Sequence, residues 1–119
     1  MYIKQALGAF GEDKACNYLE ENNYEIIERN FRCKQGEIDI IAKDLSKNEL
    51  VFIEVKTRSS FNYGRPAQAV DKVKTRHIIG ASKYYLLKNK LKDVFVRFDI
   101  IEIFPTNYNF KINHIKQII

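Results

Sequence analysis

Three acids and a lysine interrupt two runs of β-branched and aliphatic residues in the stretch GEIDIIAKDLSKNELVFIEVKTR, residues 36–58. These four residues are Glu37, Asp39, Glu54 and Lys56. A charge within an otherwise apolar strand is costly, because it must keep water or find a partner. Carboxylates gathered at one place are the ligands that hard divalent cations prefer, so these residues are the first candidates for a functional site.

The alternation of residues along the two strands predicts how the charges meet, because alternate residues of a strand share a face. An antiparallel hairpin that keeps one face apolar pairs Ala42 with Val51, Ile40 with Ile53 and Ile38 with Val55. The other face then brings Asp39 opposite Glu54 and Glu37 opposite Lys56. A slip of one residue would scramble both faces, whereas a slip of two residues would not.

The predicted pairing of Asp39 with Glu54 has an electrostatic consequence. Side chains that oppose each other on adjacent strands lie about 5 Å apart. Two carboxylates at about 4 Å repel by roughly 4 kcal/mol at an effective dielectric constant of about 20. Lys56 would offset part of this repulsion, and Mg²⁺ or Mn²⁺ would offset more. The alternative is a surface hairpin with cross-strand salt bridges between glutamate and lysine, each of which contributes little.

The elements that must position these residues alternate between helix and strand. The patterns predict a helix over 3–22 and strands over 24–31, 37–42 and 50–57, then a helix from Pro66 to about Leu87, a strand over 94–104 and an edge strand in the tail. The order αβββαβ(β) indicates an α/β or α+β fold with a mixed sheet flanked by helices. The 119 residues indicate one domain, residues 1–119.

Composition and charge narrow the class of protein. The chain is 45% hydrophobic and 29% charged, has no apolar run of roughly 18 residues and shows no signal segment, which predicts a cytoplasmic protein without a membrane span. Cys16 and Cys33 lack the spacing of a zinc site or a disulfide framework. Residues 58–92 carry nine Lys/Arg and one acid, against a net charge of +5 for the whole chain. This asymmetry indicates either an anionic partner such as nucleic acid or a solvated lysine-rich helix.

The second predicted helix carries Gln68 followed by three cations on one face, namely Lys72, Arg76 and Lys83. We expect the cations either on phosphates or in solvent. The opposite stripe of that helix predicts that His77 is packed in the protein, and His114 is predicted at the surface.

Three other residues and one loop also have a predicted environment. Glu12 lies at the edge of the apolar stripe of the first helix, and Asp99 is read as a structural partner of Arg97. The loop from Arg58 to Arg65 mixes aromatic and basic residues, and it either stacks on an unpaired base or caps the core.

The sequence EIDIIA…VFIEVKTR resembles the core of the PD-(D/E)xK nucleases, with Ile38 in place of the usual proline. Together with GAFGEDKACNYLE, AVDKVKTRHI and RFDI, it resembles the small bacterial YraN-like family of predicted endonucleases, which is related to Holliday-junction resolvases. The resemblance covers nearly the whole chain. It implies a restriction-endonuclease-like fold and Mg²⁺-dependent (or Mn²⁺-dependent) hydrolysis of phosphodiester bonds in branched or otherwise structured DNA.

The resemblance also implies a role for each matching residue. Asp39 and Glu54 would bind the metal together with the Val55 carbonyl, Glu12 would complete the metal shell, and Lys56 would hold the attacking water. The remaining implied contacts are Gln68 beside the site and Arg58, Arg65, Lys72, Arg76 and Lys83 on the nucleic acid. Symmetric cutting of two strands would suit a homodimer. Two other classes stay open: a nucleic-acid-binding protein that cleaves nothing, and a protein-interaction domain.

Overall fold

The computed structural model describes residues 3–58 and 72–119, with the side chains of residues 8–58 and 74–119. The elements are α1 (Ile3–Glu21), β1 (Tyr24–Cys33), β2 (Gly36–Asp44), β3 (Glu49–Thr57), α2 (Lys72–Lys88), β4 (Phe95–Pro105) and β5 (Phe110–Ile115). Each of them corresponds to an element that the sequence patterns predict. The predicted start of the second helix at Pro66 lies outside the described residues.

The five strands form one sheet in the order β1-β2-β3-β4-β5. Every neighbouring pair is antiparallel except β3 and β4, which are parallel. Parallel neighbours need a crossover connection, and α2 lies in the segment that joins β3 to β4. The result is a mixed sheet with helices on it, which confirms the predicted α/β class and is compatible with a restriction-endonuclease-like core.

Apolar residues cover both faces of the central strands, and each face packs under one helix. Ala15, Cys16 and Leu19 of α1 pack with residues of one face that include Ile40 and Ile53. On the other face, α2 packs through side chains that include Ala81 and Tyr85, against Phe31, Ile41 and Phe52. Burial of apolar area at both faces supplies most of the driving force for this fold. Asp39, Glu54 and Lys56 therefore lie in strands whose other residues are mostly buried.

Gly11 permits the close approach of α1 to the end of β3. A Cβ atom placed on Gly11 would overlap the Oγ1 atom of Thr57 and come within 3.2 Å of its Cβ. Gly11 is buried, and Glu12 follows it directly. The absence of a side chain at position 11 thus fixes how near Glu12 comes to the strand that carries Glu54 and Lys56.

The predicted register of β2 and β3 is confirmed for Ala42 with Val51 and for Ile40 with Ile53. The ladder between these two strands has its last pair at Ile40 and Ile53, so the predicted pairing of Ile38 with Val55 is wrong. Ile38 pairs instead with Phe31 of β1 and belongs to the core under α2.

The cause of this difference is a local change of face in β1 and β2. Ile38 and Ile40 are two residues apart, yet they lie in the two different cores. The paired residues on either side leave Asn30 facing Asp39 across the strands, and Asn30 has a φ of 53°. A residue in this left-handed region interrupts the extended conformation, and Asn tolerates it better than most residues. The strict alternation assumed from the sequence therefore ends at Asp39.

A buried network of charges ties β4 to its neighbours at the other end of β3. The Arg97 guanidinium donates hydrogen bonds to Asp99 at 2.9 Å and to Asp44 at 2.9 Å, which confirms the predicted pairing of Asp99 with Arg97. His114 Nε2 lies 2.7 Å from Asp99 Oδ2, and His114 Nδ1 lies 2.9 Å from the Tyr18 hydroxyl. The prediction of a surface position for His114 is wrong, because its side chain is 5% exposed.

Two further properties of the chain follow from the described residues. Cys16 is buried, Cys33 is half-buried, and both are free thiols. Within residues 3–58 and 72–119, neither helix is long and apolar enough to cross a bilayer.

Candidate functional site

A cavity of about 720 Å³ opens where β2 leaves β3, beside α2. Strand residues from both sides of the gap line it, including Asp39, Glu54 and Lys56. The helix contributes Lys74, His77 and Ile78, and β1 contributes Arg32 and Cys33. The three central charges that the sequence analysis singled out therefore meet in one cavity.

Asp39 lies at the point where the two strands separate. Its Oδ2 atom accepts a hydrogen bond from the Val55 main-chain N–H at 2.8 Å. The last ladder pair between β2 and β3 is Ile40 and Ile53. Beyond that pair, the Asp39 side chain accepts a hydrogen bond from a main-chain N–H of β3. This contact fixes the Asp39 carboxylate against β3, next to Glu54.

The environment of Asp39 opposes its ionisation. Burial raises the pKa of the Asp39 carboxyl from 3.8 to about 6, although the Val55 N–H acts in the opposite direction. The negative charges of Glu12, Glu54 and Glu37 add to the increase in that pKa. Glu54 is thus among the acids whose charge acts on Asp39, in line with the repulsion that the sequence pattern predicted for this pair. A buried acid with a raised pKa at a cavity is a candidate for function on physical grounds.

Glu54 is a buried carboxylate that contacts two ammonium groups. Its Oε1 atom lies 3.5 Å from Lys56 Nζ and is also in contact with Lys74 Nζ. The Glu54 side chain is 9% exposed, so these cations replace much of the water that the carboxylate has lost. Lys56 is 13% exposed and Lys74 is 49% exposed.

Glu12 of α1 is not among the residues that line the cavity, although its charge acts on Asp39. It stands beside the buried stripe of that helix, as predicted, with a side chain that is 20% exposed. Its Oε1 atom lies 3.8 Å from an Arg29 nitrogen of β1, and Arg29 also binds Asp13 at 2.9 Å. The negative charge of Glu12 acts on Asp39, and the nearby Arg29 guanidinium partly neutralises that charge.

Glu37 lies at the rim of the cavity. The predicted hairpin places Glu37 opposite Lys56, but the β2–β3 ladder has its last pair at Ile40 and Ile53, so this pairing is wrong. The Glu37 carboxylate forms a salt bridge of 3.3 Å with Arg32 of β1, and both side chains are exposed. Because β2 pairs with β1 here, Glu37 faces Arg32 across that ladder.

The resemblance implies Gln68 beside the site and five cations on the nucleic acid, and these six residues fall into three groups. Arg65 and Gln68 lie outside the described residues, and Lys72 belongs to α2 with a side chain that is not described. Arg58 donates to the buried Glu102 at 3.1 Å and is 32% exposed. Arg76 and Lys83 are exposed on α2, and neither lines the cavity.

Two residues of α2 at the cavity were not predicted there. His77, predicted to be packed, is exposed and lines the cavity. The buried stripe of α2 runs through Ile78, Ala81 and Tyr85 and does not include His77. Lys74 lies one turn before Ile78 on this same stripe, and it reaches Glu54. The position of Lys74 in line with the apolar stripe is the sequence signal that could have identified it as a residue of the cavity.

The donor set suits a hard divalent cation. Asp39 and Glu54 offer carboxylate oxygens, and within the described residues Asp39 engages only one of its two oxygens in a hydrogen bond. Mg²⁺ is commonly bound by one or two carboxylates together with water and substrate phosphate oxygens. In the part of the chain that the structure describes, no three acid, histidine or cysteine side chains form a preassembled metal cluster. Asp39 and Glu54 therefore fit a cation that is bound by two carboxylates and whose remaining ligands are water molecules.

Comparison with known proteins identifies relatives over nearly the full length. The family model described as "Uncharacterised protein family UPF0102" matches residues 11–103. A UPF0102 protein of Caldicellulosiruptor saccharolyticus is 46% identical over 101 residues, which cover 85% of this chain and 84% of the relative. A UPF0102 protein of Caldanaerobacter subterraneus is 45% identical over 115 residues, covering 94% and 93%. One from Clostridium botulinum is 46% identical over 119 residues, covering 98% and 95%.

Proposed function

The chain belongs to the UPF0102 (YraN-like) family, and from this premise we propose that it is a divalent-metal-dependent endonuclease acting on branched or otherwise structured DNA. The observation that carries the proposal is the meeting of Asp39, Glu54 and Lys56 in one cavity at the gap between β2 and β3. Two acids and an amine in this arrangement suit phosphodiester hydrolysis, in which a cation and a lysine oppose negative charge on the phosphate.

Each residue of the site has a task in this proposal. Asp39 and Glu54 hold Mg²⁺ or Mn²⁺, which when bound supplies charge neutralisation and a water of lowered pKa. Lys56 is nearly buried beside Glu54, so its ammonium group is positioned to donate to the attacking water and to a phosphate oxygen. Glu12 orients water on the side of α1, from where its charge already acts on Asp39.

The distribution of charge supports a polyanionic substrate. Residues 58–92 carry nine of the twenty Lys/Arg residues and a single acid. Arg76 and Lys83 are exposed within this segment. Contacts of lysine and arginine with phosphates position a nucleic acid but do not read its sequence. We therefore infer recognition of DNA shape, and cutting of both strands of a junction would take two copies of the chain.

The decisive experiment measures cleavage and binding on the same DNA. Plasmid and four-way-junction DNA are incubated with the protein and Mg²⁺ or Mn²⁺, and binding is measured separately in the presence of a chelator. We expect metal-dependent cleavage that is lost in Asp39→Asn and in Lys56→Ala, while both variants still bind DNA. Lys116→Ala, which removes an exposed charge in the tail, is the matched control and keeps wild-type cleavage.

Two results would contradict the proposal in different ways. Binding that weakens with salt but is followed by no cleavage under any metal condition would indicate a nucleic-acid-binding protein on a nuclease scaffold. Absence of DNA binding at low salt would instead favour a protein-interaction domain.

A further inference from the structure

Glu54 Oε1 is shared between two ammonium groups that come from different elements. Lys56 follows it on the same strand, with Nζ at 3.5 Å, and Lys74 reaches it from α2. With Asp39 and Glu54 ionised, the two lysines already balance the two carboxylates without any metal. A divalent cation entering among these four groups would therefore meet two positive charges at close range.

The two lysines differ in how easily they can leave Glu54. Lys56 is 13% exposed, so withdrawing its ammonium from Glu54 would leave both charges poorly solvated within the protein. Lys74 is 49% exposed, so water can replace Glu54 around its ammonium more readily than around that of Lys56. An ion pair with one half-exposed partner is weak, which is the property an exchangeable contact requires.

Resting on the proposed function, we propose that Lys74 is a tethered cation that occupies Glu54 in the metal-free protein and is exchanged for the divalent ion. Lys74 then sets the metal affinity of the site from the helix side. It is a positioning residue, because it acts on Glu54 and not on the phosphate undergoing attack. The consequence is that a divalent cation must compete with Lys74 for Glu54.

The test measures binding of Mn²⁺ alone, without DNA, from the electron paramagnetic resonance signal of the unbound ion. The full chain is compared with Lys74→Gln, Lys74→Arg and, as a distant control, Lys116→Gln. We expect Lys74→Gln to bind Mn²⁺ about two- to fivefold tighter, the range expected for loss of a competing ion pair of this exposure. Lys74→Arg should bind Mn²⁺ about twofold or more weakly, because a guanidinium holds a carboxylate with two hydrogen bonds. Lys116→Gln should match the wild type.

The arginine variant separates exchange from a general effect of charge. If Lys74 acted only through its field, Lys74→Arg would bind Mn²⁺ with wild-type affinity and the lysine would be no exchangeable contact. If Lys74→Gln bound Mn²⁺ equally or more weakly than the wild type, the exchange would also be excluded. Circular dichroism and thermal unfolding of each variant show that the change lies in the site and not in folding.

Failure of the exchange can be told from failure of the proposed function. If all Lys74 variants bind Mn²⁺ as the wild type does while Asp39→Asn does not, the metal site stands and the exchange is wrong. If neither the wild type nor any Lys74 variant binds Mn²⁺, the metal site and the exchange are both wrong.

Discussion

The carboxylate of Asp39 accepts a hydrogen bond from the main-chain N–H of Val55 at 2.8 Å, beyond the last β2–β3 ladder pair. A side chain thus bonds to β3 where the β2–β3 ladder has ended. The contact lies beside the cavity, and it holds the Asp39 carboxyl, whose pKa is raised to about 6, against the next strand. Burial of this carboxylate beside other acids carries a cost in stability, which the hydrogen bond from Val55 only partly offsets.

We predict that Asp39→Asn stabilises the protein at pH 7. The native state raises the Asp39 pKa from 3.8 to about 6, so the native protein binds more protons than the unfolded chain between these values, and its stability falls as pH rises through them. An amide cannot ionise, and its oxygen can still accept from Val55. The free energy of unfolding should increase by about 1–3 kcal/mol at pH 7, measured by urea denaturation.

The pH dependence provides the control for this prediction. The difference between wild type and Asp39→Asn should already be small at pH 4 and should approach zero near pH 3, below the unfolded-state pKa of 3.8, where the carboxyl is protonated in both states. A stabilisation that is the same at pH 4 and pH 7 would show that the gain does not come from the ionisation of Asp39.

We also predict that metal binding weakens in mild acid, because a cation must displace the proton of Asp39. With the pKa of Asp39 at about 6 in the absence of metal, the Mn²⁺ affinity should be nearly constant above pH 7 and should fall about tenfold per pH unit below pH 5. Isothermal titration at several pH values measures this, and proton release on binding should be greatest below pH 6. An affinity that is flat down to pH 5 would exclude Asp39 as a ligand.

Gly11→Ala should displace α1 from β3. The added Cβ would overlap the hydroxyl of Thr57, whose branched side chain is short and cannot move far. We expect a loss of about 1–3 kcal/mol in the free energy of unfolding, typical of overpacking. Gly8→Ala is the matched control, because a Cβ at Gly8 meets nothing within 4 Å.

The control should behave in the opposite direction. Alanine is favoured over glycine within a helix by about 0.5–1 kcal/mol, so Gly8→Ala should stabilise the protein. Thermal unfolding of the two variants side by side gives the comparison. Equal effects of the two substitutions would show that α1 does not need the close approach at Gly11.

Arg97→Ala should be among the most destabilising single substitutions in the chain. Arg97 is 4% exposed and donates to Asp44 and Asp99, which are also buried. Its removal leaves two carboxylates without their main cation, which typically costs about 3–5 kcal/mol. Arg29→Ala breaks the salt bridge of an exposed pair and should cost less than about 1 kcal/mol in the same urea titration. A loss below 1 kcal/mol for Arg97→Ala would mean that water enters the network.

The sequence alone determined the elements and the paired core of the sheet. The apolar alternation in β2 and β3 predicts the pairing of Ala42 with Val51 and of Ile40 with Ile53, because any odd shift would bury charges on both faces. It also gathers Asp39, Glu54 and Lys56, which do meet in one cavity. These features depend on the local alternation of apolar and charged residues, which can be read directly from the sequence.

Only the tertiary structure decided what surrounds those residues. The change of face at Asp39 depends on Asn30 of the neighbouring strand, and the buried place of His114 depends on Asp99 and Tyr18. The contact of Lys74 with Glu54 depends on the rotation of α2 about its axis. The packing of α2 against the sheet sets that rotation. Such positions result from contacts between residues far apart in the chain, and no local pattern encodes them.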